Sequence, residues 1–365
     1  MIVRWPWKIS ANDKHLVISW SGQTLAYVLA CGNAVNGYTV LESAVKRDCA
    51  VDLKELASDL KAFNLDGLEV SVMLRPGQYQ LLQIESPTVA PDELRAAARY
   101  QIRDMLDIPI DEVRLDLMRV GDGQQKGAAQ LFVVATPMVV IRNVLDLCKA
   151  MRWKASVIDI HEMAQRNLQT ALAGRNGNTT QAQPALVWID EFQAVLTISA
   201  NGELFNTRRF DFLQGLSAGF WDTDINAAFV ESHFGFSGSV GDELGYSKTG
   251  IPSKINMDVT NQYIGASTPV DNIWSDNQAQ RFLMELKRSF DLWERLWPSM
   301  PLGAMWLHAG RSSEELATWL SPKLEQKVQL MDVKLLFSDF NVSVDDEALC
   351  LPLLGILLRT ENRTF

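Results

Sequence analysis

The sequence predicts an α/β protein of two domains, with a small α+β unit inserted in the first. Three observations carry this. A polar run at 174–183, with two glycines and no apolar periodicity, divides the 365 residues into two halves. Each half opens on three strand patterns joined by tight turns and then becomes helical, a duplication of pattern without visible sequence identity. The first half also holds, between 68 and 136, a run that reads as one compact unit of strand, strand, helix, strand, strand.

In chain order, strands are expected at 16–20, 24–31 and 38–45, separated by Gly22 and by the turn from Gly32 to Gly37. Leu53, Leu56, Leu60 and Phe63 then mark an amphipathic helix. In the compact unit, Leu68, Val70, Val72 and Leu74 alternate with Glu69, Ser71 and Met73, the period of a strand with one buried face. Arg75-Pro-Gly-Gln78 turns the chain into a second strand at 79–85. Pro91 suits a first helical position, with Asp92 and Glu93 in the positive first turn. Leu94, Ala98, Ile102, Met105 and Leu106 fall on one side of that helix, and Arg95, Arg99 and Arg103 form a basic stripe on another. Ile108-Pro109 ends it, and strands follow at 113–117 and 131–136. A helix through Val139, Val144, Leu147 and Met151, a strand at 155–158 and a helix at 161–173 close the first half.

The second half starts with strands at 186–190, 194–199 and 204–210, Asn201-Gly202 supplying a hairpin turn. A helix is expected at 217–233, then a weakly patterned Gly- and Ser-rich loop or insertion at 235–268. Phe282, Leu283, Leu286, Phe290, Trp293 and Trp297 define a strong amphipathic helix that stops at Pro298. A strand at 304–308, a helix at 312–320, a strand at 328–331 and a helix at 345–358 complete the chain.

Composition excludes several classes of function. The formal charge of −10 opposes a general nucleic-acid binder, which needs clustered Lys and Arg for phosphate contacts. Cys31, Cys49, Cys148 and Cys350 are isolated and read as reduced thiols; His15, His161, His233 and His308 are equally scattered, so no metal-ligand spacing appears. There is neither a Gly-x-Ser-x-Gly elbow nor a Walker P-loop. The longest apolar run, 348–358, is broken by Pro352 and too short to cross a bilayer. Residues 1–10 lack the apolar stretch of a signal peptide, so a cytoplasmic location is expected. Trp5-Pro6-Trp7 precedes the first strand and is expected to pack across the fold, the alternative being an amphipathic N-terminus that docks on a partner or a membrane surface.

Two duplicated halves with an insert in the first match the architecture of the actin-like (ribonuclease H-like) ATPases. Three runs narrow this: Leu74-Arg-Pro-Gly-Gln-Tyr-Gln-Leu-Leu82, Pro91-Asp-Glu-Leu94 and Tyr100-Gln-Ile-Arg-Asp-Met-Leu-Asp-Ile-Pro-Ile-Asp111. With them the chain resembles the MshI family of agglutinin (MSHA)-type pilus biogenesis proteins, which is similar to the PilM family of type IV pilus proteins. Matches shared more widely in the superfamily are Trp188-Ile-Asp190, Asn201-Gly202-Glu203, Thr207-Arg-Arg-Phe210, Glu285-Leu-Lys-Arg-Ser-Phe-Asp291 and Leu307-His-Ala-Gly-Arg311. The resemblance implies an actin-like subdomain I at 1–175 with an insert at 67–137, a subdomain II at 184–342, and a C-terminal helix at 343–365 packing back on subdomain I. It further implies a cytoplasmic scaffold of a pilus assembly platform, peripheral to the inner membrane. The partners implied are the tail of a PilN-like bitopic inner-membrane protein and other platform proteins, with membrane contact only through a partner. Arg95, Arg99 and Arg103 either steer an acidic segment of that partner or form a solvated face paired with local acids.

The alternative is a working ATPase. Actin-like enzymes hold Mg-ATP between two strand-turn-strand loops, each usually starting Asp-x-Gly, and a Gly-rich adenosine loop. An Asp positions Mg²⁺, and small residues let backbone N–H groups reach the phosphates. The first loop here reads Ile18-Ser-Trp-Ser-Gly-Gln-Thr24, so Ser19 replaces the Asp ahead of Gly22 and Gln23. The second reads Ile189-Asp-Glu-Phe-Gln193: it keeps Asp190, the one candidate metal ligand, and Gln193, but has Phe192 where glycine is expected. The adenosine loop keeps Gly310, and Glu285, Arg288 and Ser289 match the helix that touches the nucleoside. The altered loops argue for a degenerate site without cofactor, ATP and Mg²⁺ being the cofactors if it is retained. No acid–base pair or nucleophile stands out to make the chain an enzyme.

Overall fold

The computed structural model describes residues 14–33, 37–49, 67–121, 129–177, 180–190, 192–212 and 276–360. The helix expected at 53–63, that at 217–233, the loop at 235–268 and Trp5 to Trp7 lie outside these residues.

The first half forms a five-stranded sheet in the order β3-β2-β1-β4-β8. Strands β1 (Lys14–Ser21), β2 (Thr24–Asn33) and β3 (Gly37–Lys46) make an antiparallel meander. β4 (Glu69–Leu74) and β8 (Lys154–Ile160) extend it in parallel from β1. The second half repeats this plan: β9 (Gln183–Trp188), β10 (Gln193–Ala200) and β11 (Glu203–Asp211) are an antiparallel meander, and β12 (Met305–His308) and β13 (Val328–Leu330) add in parallel. The duplication visible in the sequence is therefore a duplication of strand order and direction.

Alternation along the strands sorts their side chains into separate cores. Leu16, Ile18, Leu25, Val70 and Val72 face outward from the first sheet onto α2 (Met138–Ala150), through Val144, Leu147 and Met151. Val17, Ala26, Val28 and Met73 face the opposite way, onto α3 (His161–Arg175) and the last helix, α6 (Val344–Leu357). The inner face of the second sheet meets the same pair through Ala185 and Val187. Its outer face packs Trp188, Phe205 and Phe210 against Phe282, Trp293 and Trp297 of the α4 (Asp276–Leu296) region and against α5 (Ser313–Leu324). The layers thus run helix, sheet, helix pair, sheet, helices. The helix pair is exchanged: α3 lies on β9, β10 and β11, while α6 lies on β1, β2 and β3.

The insert differs from its sequence reading in one respect. β4, grouped there with the unit at 67–137, is a central strand of the first sheet; Val72, Met73 and Leu74 are buried. A strand covered on both faces belongs in the middle of a parallel sheet. What stands apart is a three-stranded sheet, β5 (Gln80–Glu85), β7 (Gln130–Pro137) and β6 (Val113–Arg119) in that order, covered by α1 (Leu94–Ile102). Ile84, Ala98, Ile102, Val113, Leu131 and Val133 give it a core of its own. α1 starts after Asp92 and Glu93 and tightens into a 3₁₀ turn at Arg103–Met105, so Met105, expected on the buried side, is 42% exposed. The changed period rotates it out of the apolar stripe.

Candidate functional site

β1 in the first half and β9 in the second each end in a hairpin. In the first, Ser21 pairs with Thr24, leaving Gly22-Gln23 as a two-residue loop with Gly22 at φ 55°. Ser19 lies fully buried two residues earlier, and its hydroxyl accepts a hydrogen bond from Arg75 Nε at 3.0 Å. Gln78, at the other end of the same turn, donates from Nε2 to the Trp20 carbonyl at 2.9 Å and accepts from the Arg75 backbone N–H at 2.8 Å. The Arg75–Gln78 turn is therefore folded onto the end of β1. Arg75 Nη2 is buried without a hydrogen-bond partner. Burial pushes the Arg75 guanidinium down to about 10.

In the second hairpin, the Asp190 carboxylate accepts from the Phe192 backbone N–H at 2.8 Å, an Asx turn. Gln193 donates across the ladder to Asp211 at 2.9 Å, and Phe192 stands 38% exposed. Gly310, at φ 52°, begins the 3₁₀ turn Gly310–Ser312 between β12 and α5; its carbonyl accepts from the Ser313 hydroxyl at 2.7 Å. The first turn of α6, capped by Ser343, joins these parts through its acids. Asp346 pairs with Arg47 at 2.8 Å, Asp345 takes Arg311 in a two-pronged contact at 2.8 and 2.9 Å, and Glu347 lies 3.8 Å from His308. The hydrogen bond from Arg311 holds the Asp345 carboxyl below its usual range.

Glu285, Arg288 and Ser289 are placed differently. Successive residues of β11 point to opposite faces, so Arg208 reaches Glu285 on α4 at 3.5 Å while Arg209 reaches inward. Glu285 is also held by Arg281 at 3.2 Å, the buried Ser289 hydroxyl donates to the Glu285 carbonyl at 3.0 Å, and Arg288 is exposed. The structure thus brings Ser19 onto Arg75, leaves Asp190 in its own turn, and ties Glu285 into the outer face of the second sheet.

A second polar cluster sits where the insert, α3 and β11 converge. Glu162, buried at the start of α3, accepts from the Tyr79 hydroxyl and from Arg209 Nη2 at 2.9 Å, and the Arg209 guanidinium lies 4.9 Å from the centre of the Tyr79 ring. Burial alone would raise the Glu162 carboxyl, but Arg209, His161 and the hydrogen bonds from Tyr79 and the backbone together hold the group below its usual range. Burial drives neighbouring His161 down to about 4. Close by, Gly121 N–H donates to the Leu204 carbonyl at 2.9 Å, a further bond from the insert to the second half. Sequence reasoning did not single out Arg75, Glu162 or Arg209. The available signal was position, a cation closing a strand, and for Arg209 the strand pattern carried none.

Arg95, Arg99 and Arg103 all have local partners. Arg95 donates to the Leu115 carbonyl at 3.2 Å and lies 3.4 Å from Asp116; Arg99 donates to the Val113 and Ile110 carbonyls and lies 3.3 Å from Asp111. Arg103 pairs with Asp104 at 3.1 Å beside Tyr100. A cavity of about 460 Å³ opens at the far end of the second sheet, near Gln183, Trp306, Gln326 and Lys327, away from the hairpins. Among the described residues, no group of three or more His, Cys, Asp or Glu could hold a metal ion, and no helix is long and apolar enough to cross a membrane.

No protein-family model and no curated protein matches the chain. Among solved structures, the PilM-PilN type IV pilus biogenesis complex is similar with a TM-score of 0.61 and 16% identity, over 95% of this chain and 98% of that one. A Bacteroides thetaiotaomicron protein with an actin-like ATPase fold and unknown function matches at 0.45 and 9%, over 93% and 96% of the two chains. The cytoplasmic domain of EpsL, an inner-membrane component of the Vibrio cholerae type II secretion system, matches at 0.39 and 15%, over 54% and 71%. The fold is the two-domain fold of the actin-like ATPases.

Proposed function

We propose that this chain is a cytoplasmic scaffold of a type IV pilus assembly platform, of the MSHA type, that binds the cytoplasmic tail of a PilN-like bitopic inner-membrane protein. The observation that carries this reading is the similarity along nearly the full length of both chains to a component of the PilM-PilN complex. The Leu74 to Leu82 and Tyr100 to Asp111 runs support it and point to the agglutinin-type branch. Platform association would keep the protein peripheral to the inner membrane through its partners.

The insert offers the tail a place. Its sheet ends on β6 at one side and β5 at the other. Arg95 and Arg99 bond carbonyls of β6, so added strand pairing is better accommodated at β5. In this reading the arginines shape the insert, and steering of an acidic tail falls to what charge they retain.

The nucleotide site is degenerate in this proposal. A Mg-nucleotide needs a carboxylate from the first loop and close backbone approach at the second. Ser19 supplies no carboxylate and its hydroxyl is engaged by a cation; Asp190 closes its own turn; Phe192 adds bulk where a phosphate would approach. Those positions do not fit the group, and no chemistry is routed through it.

The test is co-expression with the bitopic partner followed by membrane fractionation. The chain is expected to move to the membrane fraction with the intact partner and to stay in the soluble fraction when the partner lacks its tail. Recovery in the soluble fraction in both cases would sink the proposal.

A further inference from the structure

We infer that the insert is a strap with two fastenings, lying along the edge strand of the second sheet and holding the two halves of the chain in one relative arrangement. The second sheet ends on β11, and that strand meets the insert at two places. At the first, Tyr79, the residue before β5, donates its hydroxyl to Glu162 at the start of α3. Arg209 of β11 bonds the same carboxylate through Nε at 3.3 Å and Nη2 at 2.9 Å, and its guanidinium lies 4.9 Å from the centre of the Tyr79 ring. Insert, helix and second sheet thus share one buried carboxylate. At the second, beyond the end of β6, Gly121 donates its backbone N–H to the Leu204 carbonyl at 2.9 Å. Gly121 has φ 61°, and a Cβ there would stand 2.5 Å from the Phe205 ring, so the chain passes β11 at a distance that only glycine allows. Leu204 joins the first half's core with Tyr79, Val120 and Phe132, while Phe205 packs edge-on against Trp293 and Trp297 of the second. One dipeptide of β11 is therefore built into the cores of both halves.

Strand registers put the two fastenings at opposite ends of the insert. Gln80 pairs with Ala135 of β7 and Arg119 with Leu131, so Tyr79 and Gly121 leave the three-stranded sheet at opposite ends of its central strand. On β11, Leu204 and Arg209 are separated by about 17 Å of strand. A single contact would be a pivot about which the halves could turn; two contacts this far apart fix direction as well as position. Swinging β11 away would also part Glu162, 1% exposed, from the cation that neutralises it. The strap needs no ligand between the halves, and it holds whether or not a membrane partner is bound.

Spin-label distances on the full chain test this. A nitroxide pair carried by Thr39→Cys on β3 and Glu315→Cys on α5, both exposed and on neither the insert nor β11, reports how the halves are arranged. Cys31→Ser removes from the background the one cysteine that is not buried. With the strap intact, one narrow distance distribution is expected. Arg209→Met, which opens one fastening, and Gly121→Val, which opens the other, are each expected to widen it by about twofold, and the two together by more. A broad distribution with the strap intact, or an unchanged width in the double variant, would overturn the inference. Widening by only one of the single variants would leave one fastening and overturn the two-point strap. Should these variants fail to fold, Tyr79→Phe and Glu162→Gln carry the test, since they keep shape and remove only a hydroxyl or a charge. A smaller widening is expected from each, and no change in either would again overturn the idea.

Discussion

Helices α3 and α1 are both rich in polar side chains, and the structure uses them in opposite ways. On α1 the arginines stay at the surface, reaching across to β6, and only Ala98 and Ile102 are buried. On α3 every residue from His161 to Gln169 is buried, Glu162, Gln165, Arg166 and Gln169 included. Those polar groups carry partners with them. Gln165 donates to the Ala185 and Val195 carbonyls, Gln169 to those of Gln183 and Thr197, and Asn167 to that of Gly355. The difference teaches that a polar helix is an interior helix when two sheets close on it and most of its groups find partners, His161 Nε2 and Gln165 Oε1 being buried without one.

That contrast can be broken most sharply where α3 and α6 cross. A Cβ on Gly355 would stand 2.0 Å from the Ala164 carbonyl oxygen, backbone against backbone, so Gly355→Val should cost more than about 3 kcal/mol in chemical denaturation. Next comes Glu162→Ala, which strands Arg209 and Tyr79 in the interior; a loss of about 3 kcal/mol is expected, and a loss below 1 kcal/mol would show that water replaces the carboxylate.

Acid titration sharpens the comparison through His161, which Glu162, Arg209, Gln165 and Arg75 face. Its folded value, about 4, lies below the 6.5 of a free imidazole, so the unfolded chain takes up the proton first as pH falls. Stability contributed at neutral pH should be lost between pH 6.5 and about 4, by up to about 3 kcal/mol, and His161→Asn should flatten that slope. Glu162, held below its usual range, adds a further loss below that. The smallest effect is expected on α1: Arg95→Ala, removing a half-exposed contact to Asp116, should cost less than about 1 kcal/mol and diminish further in high salt.

Much of the fold was legible because strand and helix periods are local. The two meanders, the Asn201-Gly202 turn, the α4 helix ending before Pro298 and the duplicated opening could all be read from spacing. The assignment of β4 was not, because alternation describes one strand and says nothing of which sheet it joins. The candidate site was legible in part. Ser19 and Asp190 could be named from loop patterns, but Arg75 could not, since it comes from a turn more than fifty residues after Ser19 in the chain. The arginine stripe could be read as a stripe, while its β6 partners depended on how the insert folds back.

The sequence by itself determined the strand and helix elements of the described residues and their order, since each depends on near neighbours and on side-chain chemistry. Only the tertiary structure decided that α3 and α6 change places between the halves, that α3 is interior despite its polar residues, and that Arg75 meets Ser19. Those outcomes depend on groups far apart in the chain desolvating one another, and burial of that kind has no period to read.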